Sequence, residues 1–195
     1  MKRIFDFIFS FIGLLVISPV LLGIALIIAF TSKGGVFYRQ NRVGRFGRDF
    51  RIFKFRTMYV DSDKKGLLTV GGRDPRVTNV GYYLRKYKID ELPQLINVFL
   101  GDMSFVGPRP EVRKYVDLYN DEQRKVLNVR PGITDLASIE YRNENEILSK
   151  QSEPEKYYID VIMPAKLSIN LKYIENRSLF KDINVILKTL KAILV

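Results

Sequence analysis

Adjacent carboxylates at Asp90 and Glu91 are the side chains best equipped for chemistry, in the run Ile89-Asp90-Glu91-Leu92-Pro93-Gln94-Leu95. The chain contains neither histidine nor cysteine. Those absences remove the commonest general base, the thiolate nucleophile and almost every zinc site. Chemistry must then run on carboxylates, amines and hydroxyls, with a hard metal ion as the natural cofactor class. Gly107-Pro108-Arg109-Pro110 follows in the same stretch. Two prolines fix the backbone around Arg109, as bidentate binding of a phosphate requires. Arg85 lies about one turn upstream, and Arg130-Pro131-Gly132 repeats the arginine–proline theme more weakly. An acidic pair among held arginines suits phosphate handling. The bland alternative is a helix cap with an acidic first turn.

Charge points the same way. The 195 residues carry a net charge of +11, and residues 31–65 alone hold ten basic and three acidic side chains. A local cationic block asks for an anionic partner: a phosphorylated substrate, an anionic membrane surface or nucleic acid. The adjoining apolar segment argues against nucleic acid. Absence of cysteine fits a reducing compartment.

Several elements must position these residues. From Phe7 to Phe30 no side chain is charged, a length sufficient to cross a bilayer. Ser18-Pro19 falls near its middle, where a proline removes a helical hydrogen bond and predicts a kink or break. The Ser18 hydroxyl is placed to satisfy the freed carbonyl. A kinked single span and a re-entrant helix-break-helix compete. Lys2 and Arg3 on one flank, with Lys33 and Arg39 on the other, favour re-entry, since cytoplasmic flanks carry the positive excess. Residues 36–58 read as a β-hairpin in which Ile52, Lys54 and Arg56 share one strand face, with Phe53 and Phe55 on the other. Lys54 and Arg56 would then face an anion site.

Residues 80–87 predict a helix broken at Lys88-Ile89. Asp90 then reads as the N-cap of a second helix, with Pro93 in its first turn and Gly101 ending it. Pro164 separates a tyrosine-containing stretch from two C-terminal helices. In the last of these Ile183, Ile186, Leu187, Leu190 and Ile193 form an apolar stripe, suited to a core or to a membrane interface. Between residues 140 and 160 only Arg142 stands out, and Glu144, Glu146 and Glu155 read as solvated. The fold class that results is α/β and mostly helical: a membrane segment over 1–30, broken at Ser18-Pro19, followed by a catalytic domain over 31–195.

The stretch Asp90-Glu91-Leu92-Pro93-Gln94-Leu95 through Gly101-Asp102-Met103-Ser104-Phe105-Val106-Gly107-Pro108-Arg109-Pro110 resembles the monotopic phosphoglycosyl transferases, a family of bacterial sugar transferases. The resemblance extends to Ser18-Pro19, Lys54-Phe55-Arg56-Thr57-Met58 and Arg130-Pro131-Gly132-Ile133-Thr134, and covers nearly the whole chain in the small single-domain form. It implies transfer of a phospho-sugar from a UDP-sugar to a polyprenyl phosphate, typically undecaprenyl phosphate, with Mg²⁺, giving UMP and a polyprenyl-diphosphate sugar. It also implies re-entrant topology at the cytoplasmic face of the bacterial inner membrane. By resemblance Asp90 is the nucleophile, forming a covalent phosphosugar-aspartate. Glu91 would position the metal, shared with Asp90, or handle the acceptor proton. Arg85, Arg109, Lys54, Arg130 and Arg142 would bind substrate phosphate. Homo-oligomers and downstream glycosyltransferases are the expected protein partners. The family commonly continues Ile-Thr with Gly-Trp, where this chain has Asp135-Leu136-Ala137-Ser138, a departure that bears on donor-sugar specificity. The competing reading is a non-catalytic membrane-anchored adaptor binding anionic lipid or a partner protein.

Overall fold

The computed structural model describes residues 2–62, 66, 68–71 and 74–194. Its first element, α1 (Lys2–Thr31), is a 30-residue helix that continues through Pro19. Proline at this position leaves the Leu15 carbonyl without its helical donor, and the Ser18 Oγ donates to that carbonyl at 2.8 Å. The hydroxyl patch is the one anticipated. The break is not, because the chain stays helical across Ser18-Pro19. Most of the helix surface is apolar and uncovered, with Leu15, Val16, Leu22 and Phe30 all exposed. It is the one helix among the described residues long and apolar enough to cross a membrane.

Both ends of α1 are fastened to the rest of the chain. Near its start Arg3 donates to the carbonyls of Val98 and Phe99, and Asp6 accepts from the Phe105 amide. Phe7 stacks on Phe99 at 4.9 Å. Near its end Leu21, Ile24, Ala25 and the buried Ile28 pack against Phe55 and Leu84.

Strands β1 (Phe37–Val43) and β2 (Asp49–Phe55) form the expected antiparallel hairpin, with Phe37 opposite Phe55 and Val43 opposite Asp49. The turn between them uses Phe46 and Gly47 at positive φ. Phe55 is buried under Phe37 and Ile28, as an inward phenylalanine should be. Arg56 lines the same large cavity as Lys54, as expected, and also has a structural role. Its guanidinium donates to the Gly35 and Phe37 carbonyls and ties down the start of β1.

Helix α2 (Asn79–Lys86) is capped by Thr78, whose side chain accepts from the Gly81 amide. A 3-10 turn (Ile89–Glu91) leads to α3 (Gln94–Leu100), which Gly101 ends in the left-handed conformation. Asn97 on α3 is fully buried and completes the hairpin's outer edge. It accepts from the Phe53 amide and donates to the Arg51 carbonyl, both at 2.9 Å. One amide side chain thus stands in for a neighbouring strand, because it offers a donor and an acceptor together.

Strand β3 (Ser104–Val106) pairs in parallel with β4 (Gly132–Thr134). Between them lie α4 (Arg113–Val116), α5 (Asp121–Arg124) and a 3-10 turn (Lys125–Asn128). The remainder is helical: α6 (Leu136–Glu140), α7 (Glu144–Ser149), α8 (Pro154–Tyr157), a π turn (Tyr158–Ile162), α9 (Met163–Glu175) and α10 (Leu179–Leu194). Pro164 does not separate two regions. It sits in the first turn of α9, and the helical run reaches back through the π turn, a common way to absorb a local mismatch in the ladder. The main core lies under this half, around Tyr115, Val116, Leu148, Ile162 and Met163. The α10 stripe divides: Ile186 packs half-buried against Val106 and Tyr173, beside the buried Val185 that the stripe did not include, while Ile183, Leu187 and Leu190 remain exposed.

Candidate active site

Asp90 and Glu91 sit in the 3-10 turn rather than at a helix cap, because Lys88 takes the left-handed conformation (φ 57°) and turns the chain before them. Both carboxyls are buried, and they open on a cavity of about 1000 Å³. Their surroundings differ sharply. Glu91 accepts from Lys54 Nζ at 2.9 Å and from the Arg109 guanidinium in two-pronged fashion, one of the bonds at 3.1 Å. Asp90 Oδ1 is buried with no hydrogen-bond partner among the described residues.

The protonation of the two follows from those contacts. Burial raises the Asp90 pKa, Lys54 opposes the rise and the neighbouring Glu91 charge adds to it. Burial also acts against the Glu91 charge, but Arg109 and then Lys54 outweigh it and hold this carboxyl well below the usual range. Burial and the Arg109 charge lower the Lys54 pKa, against the pull of Glu91. Two adjacent carboxyls are thereby pushed apart in acidity, as acid–base and nucleophilic sites require.

The position of Arg109 is built by the two proline motifs acting together. Gly107 and Gly132 approach so closely that a Cβ on Gly132 would lie 2.1 Å from the Gly107 nitrogen, so only glycine fits. The Gly132 amide donates to the Pro108 carbonyl at 3.0 Å and the Gly107 amide to the Thr134 carbonyl at 3.1 Å. Asp135 then accepts from the Arg109 amide at 2.8 Å with one oxygen and from the Ser138 amide at 2.6 Å with the other. One buried carboxylate thus caps α6 and pins the backbone of Arg109. Sequence reasoning registered Asp135 only as a departure from a family pattern. The spacing Asp135-x-x-Ser138, an N-cap signature, was the signal that could have placed it.

Of the other expected phosphate ligands, Lys54, Arg85 and Arg142 line the same cavity as Asp90 and Glu91. Arg85 donates to Thr69 Oγ1 at 2.8 Å. Arg130 does not join them. Its Nε donates to the Gly101 carbonyl at 2.8 Å, and the side chain lines a separate cleft. Glu144, expected to be solvated, is half-buried and paired with Lys166 at 2.7 Å on the cavity wall. Glu155 pairs with Lys114 and accepts from Tyr115. Glu146 is exposed as expected.

The cavity has two chemical ends. Around Asp90 it is lined by Lys54, Arg85 and Arg109, whereas Phe105, Ile133, Ile139, Ile186 and Ile193 form an apolar wall. Such a space accommodates a ligand that is anionic at one end and greasy at the other.

The model of the bacterial sugar transferases matches residues 1–195. The chain belongs to the bacterial sugar transferase family. Within that family it is 38% identical, over 99% of its length, to UDP-N-acetylgalactosamine-undecaprenyl-phosphate N-acetylgalactosaminephosphotransferase of Aeromonas hydrophila, and spans 43% of that protein. It is 37% identical over 97% of its length to UDP-glucose:undecaprenyl-phosphate glucose-1-phosphate transferase of Escherichia coli, spanning 39% of it. With the exopolysaccharide production protein ExoY of Rhizobium meliloti it shares 35% identity over 98% of its length and 84% of the relative's. The chain therefore spans less than half of two of these family members and most of the third.

Proposed function

We propose that this sugar transferase moves a phospho-sugar from a UDP-sugar to a polyprenyl phosphate, undecaprenyl phosphate above all, releasing UMP. The product would enter glycoconjugate assembly at its first membrane step. The observation that carries the reading is the buried, unpartnered Asp90 oxygen, set beside a carboxylate already neutralised by two cations. A buried acceptor without a donor is costly, and an approaching phosphorus atom would relieve that cost. The names of the relatives supply the substrate classes.

Two displacements at one phosphorus account for the transfer. The ionised Asp90 oxygen attacks the sugar-linked phosphorus of the donor. The bond from that phosphorus to the bridging oxygen breaks, and UMP leaves with the electron pair. Polyprenyl phosphate then attacks the phosphosugar-aspartate through a phosphate oxygen, the aspartyl O–P bond breaks, and the free carboxylate returns. Arg109, Lys54 and Arg85 would meet the diphosphate oxygens, their charges already aimed into the cavity.

A hard divalent cation fits this donor set. Mg²⁺ is commonly held by one or two carboxylates together with substrate phosphates rather than by an all-protein cage. Asp90 would hold it through its unpartnered oxygen, and Glu91 would join only by giving up a bond to Lys54 or Arg109. When bound it would neutralise charge on the diphosphate.

Topology belongs to the same proposal. A straight 30-residue helix is about 45 Å long, yet both ends of α1 contact the same body of protein. That arrangement supports insertion from one side, with the catalytic domain at the cytoplasmic face. The exposed faces of α1 and α10 would meet lipid.

The decisive assay mixes UDP-sugar with polyprenyl phosphate and follows UMP. Asp90→Asn should reduce release by about a thousandfold or more, with mass spectrometry of trapped wild type placing the phosphosugar on residue 90. Excess EDTA should silence the wild type. Release within tenfold of wild type from Asp90→Asn would end the covalent reading. Single cysteines at residues 2 and 34 should label from the same side of sealed vesicles, and opposite-side labelling would overturn one-sided insertion.

A further inference from the structure

β3 divides two cavities. Phe105 faces the catalytic one, whereas Ser104 and Val106 line a second cleft of about 320 Å³ at the start of α1. Five cations border this cleft: Lys2, Arg3, Arg45, Arg130 and Arg177. Two carboxylates join them, and each is already committed. Asp6 accepts from the Phe105 amide, and Asp182 pairs with Lys2 at 2.7 Å and accepts from the Tyr173 hydroxyl.

The guanidiniums are held in place without being neutralised. Arg3 donates to the Val98 and Phe99 carbonyls, Arg45 Nε to the Asn128 carbonyl at 3.0 Å, and Arg130 Nε to the Gly101 carbonyl. Carbonyls fix an arginine's position while leaving its full charge and its remaining N–H groups available. Arg177 makes no hydrogen bond or ion pair among the described residues. A net positive cleft whose Arg3, Arg45 and Arg130 are held by carbonyls, with Arg177 at its rim, attracts an anion.

A second observation points to the same ligand. Ser104 Oγ is buried, the residue being only 1% exposed, and it has no hydrogen-bond partner. It sits on the strand that forms the cleft's wall. A hydroxyl donor among guanidiniums matches an oxyanion with several acceptor oxygens. The start of α10, at Ser178 and Leu179, closes the cleft from another side and adds favourable dipole character. The surroundings are apolar: Ile4 is 64% exposed, Phe180 is 85% exposed, and the uncovered surface of α1 begins beside Arg3.

We infer that this cleft is a second anion site, separate from the catalytic cavity, that takes the phosphate of a phospholipid headgroup with its acyl chains lying along α1 and Phe180. The cationic floor would read the phosphate and the apolar rim the tails. It would hold α1 at headgroup depth, and it gives Arg130 a phosphate partner other than the sugar donor. The inference stands on the cleft's own residues and does not depend on the reaction proposed above.

The test titrates detergent-solubilised full-length protein with dihexanoyl phosphatidylglycerol and, separately, with inorganic phosphate. Binding is followed by native mass spectrometry and by hydrogen-exchange protection over residues 104–107 and 177–182. The expected result is one phosphatidylglycerol bound, with protection at both segments. Arg177→Gln should weaken it about tenfold, the loss of one charge-assisted bond. Ser104→Ala should weaken it severalfold, and removes only a hydroxyl that has no partner within the fold. Inorganic phosphate binding as tightly as the lipid would support the anion site and overturn the lipid as its occupant. Absence of protection with either ligand, or affinities unchanged in both variants, would overturn the site altogether.

Discussion

The two cavities on either side of β3 use the same residue type in opposite ways. In the catalytic cavity Arg109 and Lys54 are paired with Glu91, so a carboxylate holds both cations before substrate arrives. In the second cleft Arg3, Arg45 and Arg130 rest on backbone carbonyls and keep their charge. A carboxylate partner orients a cation and tunes its neighbours. A carbonyl partner only orients it. The first arrangement leaves Asp90 Oδ1 without a hydrogen-bond partner among the described residues, at the atom to which the proposed reaction assigns the attack, whereas the second leaves attraction as its function.

Removing the carboxylate should convert the first cavity towards the second. Glu91→Gln frees Lys54 and Arg109, and UMP release should fall about a hundredfold or more, the cost of misplacing preorganised charge. The residual activity should also change its pH dependence. In wild type the raised Asp90 pKa means that the acid limb of kcat/KM lies above the ordinary aspartate value of about 3.9. Below that limb Asp90 is protonated and cannot attack. Loss of the adjacent Glu91 charge, with Lys54 released, lowers the Asp90 pKa, so the limb should move to lower pH. A limb that stays put or rises would break the contrast drawn between the two cavities.

A smaller effect should come from Asp135→Ala, which leaves Arg109 paired with Glu91 but unpins its backbone. UMP release should drop about tenfold, through kcat more than KM, since the guanidinium loses position rather than charge. Loss of the α6 cap should cost about 1 kcal/mol, a fall in Tm of about 2–4 °C. Phosphatidylglycerol binding at the second cleft should not change. If kcat holds while Tm falls, Asp135 is a cap and nothing more.

Legibility in the sequence followed the range of the interaction. The hairpin, the Gly101 helix stop and the Ser18 hydroxyl patch were readable because each depends on residues within a few positions of one another. Lys54, Arg85, Arg109 and Arg142 are expected as phosphate ligands through a family resemblance, and the structure places all four on one cavity with Asp90. What escaped were decisions made across the fold. Arg130 looked like its counterpart Arg109, but the Gly107–Gly132 contact sends the two arginines to different cavities. Asp90 had every local mark of an N-cap, yet the left-handed Lys88 placed it in a tighter turn. Pro19 predicted a break from local rules that one hydroxyl was enough to offset. Asn97 gave no sign that it would serve as a strand edge, since its partners lie more than forty positions away.

The first helix is fastened at Arg3 and again at Ile28 to the same body of protein that carries the carboxylates. On the proposed one-sided insertion, the height of Asp90 above the hydrocarbon would be a dimension set by packing and not by the slack of a tether. A polyprenyl phosphate acceptor would then have to rise to that level, and the depth of the carboxylate would act as a selection rule in its own right.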